Sequence, residues 1–316
     1  MEKESSIVLH INSKDRTDNL DINNQYSTSH FKYFFKQPII NNIGNSFLLS
    51  LHSSIIPYSF YNIRTNINDI VTVTVYDPAT GGQINVKVLT ITPGSYTVGS
   101  LITELETQFL TLVADGILTQ GITIGFNRQT QKLTFITKAV ADNNKIDLDF
   151  ALTEKGANIP MGFRDREQTV KFTNVISTSV VSSNVCDVNG SVHSVFIRTS
   201  LTSTGQLDSS SGGFTTILGR IPIEKNFGSV LFFNPTNSTH SIKVYDNYIQ
   251  SISIKLTDDN GRLLDLNGLN FTLSLEFEKL FTPKEEIIPR SFIPNTPNME
   301  LENTKTKKKK STNKKK

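Results

Sequence analysis

Short apolar runs recur along most of this chain, divided by clusters of Gly, Pro, Asn and Asp, and one window alone breaks the rhythm. That spacing constrains the fold more than any other feature, because many short runs with turn punctuation read as strands of an antiparallel sandwich or barrel. Ser, Thr, Val, Ile and Phe fill the runs, and the Ala/Glu/Leu/Lys-rich stretches of long helices are nearly missing. Strands are expected at Ser6–Ile11, Phe31–Phe35, Ser46–Ile56, Asp69–Tyr76, Ile84–Ile91, Ile122–Phe126, Lys132–Ile136, Ile146–Phe150, Val192–Thr199, Thr215–Ile223, Ser229–Phe233, Ile249–Lys255 and Leu273–Phe277. The exception is Thr97–Val113, where Val98, Leu101, Ile102, Leu105, Phe109, Leu112 and Val113 fall on one face at helical spacing, which predicts one amphipathic helix.

Alternation is cleanest near the end. Ile252, Ile254 and Leu256 stand against Ser251, Ser253 and Lys255, although the alternation fails toward Ile249, while Phe271–Glu278 alternates throughout. The simplest closure pairs these two segments as a hairpin through Asp258-Asp259-Asn260-Gly261 and Leu264-Asp265-Leu266-Asn267-Gly268. Prolines at 283, 289, 294 and 297 would interrupt any further ladder, so an extended arm is expected there, followed by disorder.

The bulk numbers narrow the class. With 316 residues, 37% hydrophobic and 19% charged, the chain can bury a sizeable core without disulfides or metals. No apolar stretch reaches the roughly 18 residues of a membrane helix, so a transmembrane protein is not expected. Met1–Ser6 has mixed charge and lacks the basic and apolar regions of a secretory signal, which suggests synthesis and assembly in the cytoplasm or nucleus. The one cysteine, Cys186, has no partner for an internal disulfide and reads as a small buried apolar side chain.

The net charge of +3 is a sum over two unlike regions. Lys305, Lys307, Lys308, Lys309, Lys310, Lys314, Lys315 and Lys316 fall in an acid-free tail; without these eight charges the remainder stands at −5. Such a tail suits non-specific contact with polyanions, weakening steeply with salt, or a solubilising or localisation role. No aromatic residue interleaves the lysines, so stacking on single strands is not indicated.

Little in the chain points to catalysis. His10, His30, His52, His193 and His240 show no metal-ligand spacing. Asp147 and Asp149 share a strand face without the Gly-centred loop of a calcium site. A phosphate loop, a GxSxG elbow and a GxGxxG turn are missing. Neither an enzyme nor a cofactor is expected.

Three segments, taken in order, bring a family into view. Ile7–Arg16, Phe31–Phe35 and Leu49–Ile63 contain a strand ending in Ser13-Lys14-Asp15-Arg16 and another ending in Ile56-Pro57, followed by Tyr61-Asn62-Ile63. Thr92-Pro93-Gly94-Ser95-Tyr96 precedes the helix, the Ile122–Phe126 and Lys132–Phe135 strands, and Ile159-Pro160-Met161-Gly162-Phe163. Val195–Arg198 and Ile217–Ile223 then lead to Asp258–Gly261 and Leu264–Gly268. Together, over about residues 5 to 281, they resemble penton and minor capsid proteins of virophages, Polinton-like elements and nucleocytoplasmic large DNA viruses.

The resemblance implies a mainly β fold: a single antiparallel jelly-roll β-sandwich with an inserted α+β module of one amphipathic helix plus β-hairpins; the disordered basic C-terminal tail is read from composition and is not a signature of that family. The implied boundaries are 1–65 and 186–281 for the jelly-roll capsid domain and 66–185 for the insert; composition adds a Pro-rich arm at 282–300 and the Lys-rich tail at 301–316. The implied role is a structural virion protein at the fivefold vertex of an icosahedral capsid. It would be a homo-oligomer, expected to be a pentamer, alongside a major capsid protein, with the tail toward the genome or an anionic inner surface. The rival reading is a receptor- or carbohydrate-binding spike or minor capsid protein with its specificity in the insert.

Overall fold

The structure is a computed structural model, and it describes residues 3–21, 25–40, 46–77, 80–118, 121–137, 145–149, 155–163, 170–172, 178–189, 192–201, 207–208, 213–235, 241–246 and 248–280. Met1–Phe281 form one compact unit. The arm and tail expected at 282–316 lie outside the described residues.

Two sheets face each other. The first contains β1 (Lys3–Asn12), β4 (Ser46–Pro57), β16 (Val230–Phe233), β17 (Ser241–Val244) and β19 (Thr272–Leu280) in the order β1-β19-β4-β16, with β17 also on β4. β16 runs beside Ser54–Pro57 and β17 beside Phe47–Ser50, so the two share one position along β4. The second sheet contains β2 (Asp18–Asn19), β3 (His30–Ile40), β12 (Ser194–Thr199), β15 (Ile217–Pro222) and β18 (Tyr248–Thr257) in the order β15-β12-β18-β3-β2.

Setting aside the two-residue β2, the pairing is nested. The first strand pairs with the last, the second with the second-last, the third with β16 and β17, and β12 with β15. One long antiparallel ribbon bent over on itself has this pairing, and it makes the sandwich a jelly roll.

The expected hairpin between Ile249–Leu256 and Phe271–Glu278 does not form. β18 pairs with β3 and β12, whereas β19 pairs with β1 and β4 in the opposite sheet. Alternation fixes which face of a strand is wet but not which strand lies beside it. Ile252, Ile254 and Leu256 meet the same core as Leu273, Leu275 and Phe277, so the two strands look at each other across the sandwich. The 258–271 connection crosses from one sheet to the other and contributes Leu264, Leu266 and Phe271 to the core.

Register shifts explain the irregular alternation. A shift between Ile249 and Ser251 puts both Ile249 and Ile252 in the core despite their odd spacing. On β4, a shift at His52 switches the buried set from Phe47, Leu49 and Leu51 to Ser54 and Ile56.

Between β4 and β12 lies the α+β insert. Strands β5 (Ile70–Tyr76), β6 (Gln83–Thr90), β9 (Lys145–Asp149) and β10 (Val170–Phe172) form a sheet ordered β10-β9-β5-β6, and β7 (Ile122–Asn127), β8 (Lys132–Thr137) and β11 (Thr178–Val181) form one ordered β11-β8-β7. The short pair β13 (Leu207–Asp208) and β14 (Gly213–Phe214) follows β12. The predicted helix is α1 (Val98–Ala114), started by a reciprocal capping box between Thr97 and Ser100. Its Leu101, Leu105, Phe109 and Leu112 are buried against both insert sheets.

Buried hydrophobic side chains fall into two clusters. One draws on Ile11–Phe60 and Val192–Phe277, the other on Ile63–Phe163.

Gly162 shows how tightly the second cluster is closed. It adopts φ +78°, and a Cβ there would stand 2.6 Å from the Asn184 carbonyl oxygen. Neither the left-handed backbone nor the main-chain neighbour yields easily. Gly162→Ala is expected to destabilise the protein by about 2–4 kcal/mol, seen in a thermal melt as a Tm lowered by roughly 5 °C or more.

Candidate functional site at the junction of roll and insert

The chain leaves the roll through Pro57–Asp69, and side chains of this segment secure each step. Tyr58 exchanges backbone hydrogen bonds with the 228–229 turn: its N–H donates to Ser229 (2.8 Å) and its carbonyl accepts from Gly228 (2.8 Å). The Ser59 hydroxyl donates to the Leu266 carbonyl (2.7 Å), and the Asn267 amide donates back to the Ser59 carbonyl. Asn62 clamps Tyr96, donating to its carbonyl (2.7 Å) and accepting from its N–H (2.8 Å). Ile63 and Gly94 form an antiparallel bridge beside that clamp. The Tyr61-Asn62-Ile63 motif is therefore the joint from which the helix-bearing segment hangs.

Arg64 completes the exit. Its Nη2 donates to Asp258 Oδ2 at 2.7 Å, with Arg64 7% exposed and Asp258 fully buried. The other Asp258 oxygen accepts from the N–H groups of Asn260 (2.9 Å) and Arg262 (2.8 Å), so the carboxylate is well satisfied. Its neighbour Asp259 holds the point of return: Oδ2 accepts from the N–H groups of His193 (2.7 Å) and Ser194 (3.0 Å) at the start of β12. Two adjacent carboxylates thus grip both stems of the insert. Read from sequence, Asp258-Asp259-Asn260-Gly261 is only a turn; the one signal of more was a lone arginine in an otherwise uncharged stretch, Tyr58 to Asn68.

The guanidinium is incompletely used. Arg64 Nε and Nη1 are buried without a protein partner among the described residues. By contrast, Arg198 in the roll engages Thr257, Thr215 and Asp208 through its three nitrogens. Arg64 lines a small cavity of about 100 Å3 together with Tyr26, Phe60, Tyr61, Leu263 and Asp265. Burial pushes the Tyr26 hydroxyl pKa up and Asp265 adds to the rise, while Arg64 opposes it.

A larger cleft of about 750 Å3 opens nearby, between the 223–227 loop and the entry to α1. An aromatic wall stands between the two spaces. Tyr58 and Phe60 are 4.7 Å apart, and Phe227 packs edge-on to Tyr58 at 5.8 Å and tilted to Tyr61 at 6.1 Å. Burial also raises the Tyr58 pKa.

Of the residues singled out from sequence, Cys186 is half-buried beside the insert core, where its thiol donates to the Pro160 carbonyl and desolvation pushes its pKa up to about 11. His10 meets Ser274 at 2.8 Å, and His193 lies 3.2 Å from Asp187. Among the described residues no group of three or more His, Cys, Asp or Glu gathers in metal-binding geometry. No helix among them is long and apolar enough to cross a membrane. The eight lysines from Lys305 to Lys316 lie outside the described residues.

Removing one partner of the buried Arg64–Asp258 pair leaves the other without its counter-charge. Arg64→Met is expected to cost about 3–5 kcal/mol in urea unfolding. The double variant Arg64→Met with Asp258→Asn should lose less than the two single changes summed, a coupling that a double-mutant cycle measures directly.

No family model matches the chain. No curated protein matches it either. A solved structure similar to this chain is the crystal structure of selenomethionine-labelled mavirus penton protein, at 12% sequence identity and a TM-score of 0.48, covering 88% of this chain and 100% of that one.

Proposed function

We propose that this chain is a structural capsid subunit of penton type, five copies of which close into a ring at a vertex of an icosahedral DNA-virus capsid. The observation that carries the reading is the nested strand pairing. It makes a single jelly roll whose α+β insert occupies one connection, between β4 and β12, so that the roll stays free to pack against copies of itself. The motifs that resemble penton and minor capsid proteins fall at the joints of this arrangement, notably Asn62, Gly162 and Asp258.

We take 1–65 with 186–281 as the roll and 66–185 as the insert; the buried side chains divide between Phe60 and Ile63 on the outgoing side, and Cys186 still packs on the insert cluster. In the ring, one face of each subunit meets a different face of the next, a heterologous contact whose rotation closes. The outer surface of the first sheet offers such a face. Phe232 of β16 is 66% exposed and pairs across the ladder with the exposed Ile55, with exposed Val230 two residues away. Apolar side chains clustered in this way on a surface mark association sites. In a virion the ring would sit among copies of a larger major capsid protein, and the lysine tail would reach an anionic inner surface or the genome. This role requires no acid, base or nucleophile.

Negative-stain microscopy and mass photometry of the purified full chain are expected to show rings of five. Phe232→Asp should leave the circular dichroism spectrum unchanged and shift the mass distribution to monomer; a wild-type chain that stays monomeric and does not join capsids on co-expression overturns the proposal. Separately, deletion after Asn303 is expected to abolish DNA binding whose affinity falls steeply with salt, while the melting temperature is unchanged. Equal binding by the truncated chain removes the tail from that role.

A further inference from the structure

The 750 Å3 cleft is not accounted for by ring formation. Its size lies within the roughly 300–1,000 Å3 of small-molecule sites. Its chemistry is mixed in a particular way. Tyr58, Tyr96 and Phe227 bring aromatic surface, while Asn62, Asn189 and Asn226 bring amides. Glu224 and Lys225 contribute one charge of each sign, and the other lining residues are uncharged at neutral pH.

That balance discriminates between ligand classes. A phosphate or polyanion would call for several cations, and a lipid tail for walls without amides and hydroxyls. A ligand with apolar C–H faces and many neutral hydroxyl groups fits both halves of the lining.

The aromatic that faces solvent is also held in place. Phe227 is 44% exposed, yet it is packed on one side by Tyr58 and Tyr61. Its loop is tied to Tyr58 by the two backbone hydrogen bonds with Gly228 and Ser229, and Gly228 turns the chain at φ +84°. A ring fixed before binding loses little freedom when a ligand stacks on it. The lining also includes the Asn62–Tyr96 clamp, which two hydrogen bonds fix.

We propose that this cleft, between the 224–228 loop of the roll and the Ser95–Val98 entry to α1, is a binding site for a neutral saccharide, with Phe227 as its stacking platform. The site uses both roll and insert, so specificity arises at their junction and not in the insert alone. It stands independently of the ring.

The test is a printed array of neutral and sialylated oligosaccharides probed with the labelled full chain, followed by saturation-transfer NMR with the strongest neutral hit. Binding of neutral glycans, weakened about tenfold or more by Phe227→Ala, is the expected result. Phe227→Ala removes a half-exposed side chain and should melt close to wild type. Should it prove unstable, Asn226→Ala with Glu224→Ala, both on exposed positions, is expected to weaken binding likewise. No glycan bound by the wild type, binding confined to sialylated glycans, or binding unchanged in a folded cleft variant overturns the proposal. Mass photometry on the same samples reads ring formation separately, so failure of the saccharide site and failure of the capsid reading are told apart.

Discussion

Two neighbouring carboxylates hold this architecture together. An insert placed in one connection of a β-sandwich has two stems, and each must be secured or the module swings. Asp258 neutralises and hydrogen-bonds Arg64 on the outgoing stem; Asp259 accepts the first N–H groups of the returning strand. Both sit on the connection that carries the chain from one sheet to the other. A disturbance at this turn therefore reaches both sheets and the insert together. A buried pair of this kind adds little net stability over a well-packed apolar substitute, and its effect lies in refusing alternatives, because either charge left alone in the interior is costly.

Much of the fold was legible because strand formation is largely a local matter. Every expected run from Ser6 to Phe277 overlaps a strand of the structure, and Thr97, the expected start of the helix, is its cap. The failure is equally instructive. One strand with partial and one with full alternation, with a turn between them, suggested a hairpin, but Ile252 and Leu273 share a core and not a ladder. The sign was present in the long connection, whose Leu264 and Leu266 have no place in a tight turn. The partial alternation of Ile249–Leu256 was a bulge in disguise.

The candidate site was far less legible. Arg64 and Asp258 are 194 residues apart, and nothing local to either predicts the other. Asn62 stood within a recognised motif, but its task, holding Tyr96 by both ends of its amide, depends on where the insert returns. The aromatic wall of Tyr58, Phe60, Tyr61 and Phe227 joins a strand end to a distant loop. Such sites are made by topology, which short-range patterns do not encode.

The nested pairing has a consequence for how the molecule comes into being. The last strand lies between the first and the third in its sheet, and the second-last between β12 and β3 in the other. Among the described residues, until the ribosome has made 248–280, β1 has no strand neighbour and β3 has only the two-residue β2. The insert, whose β5–β6 and β7–β8 pairs are local, finds its contacts much earlier in synthesis. The roll therefore closes when β18 and β19 slide into prepared gaps, and a chain broken off before them keeps open apolar edges that invite aggregation. Synthesis of residues 248–280 is thus the event that lets the nascent roll become a closed surface.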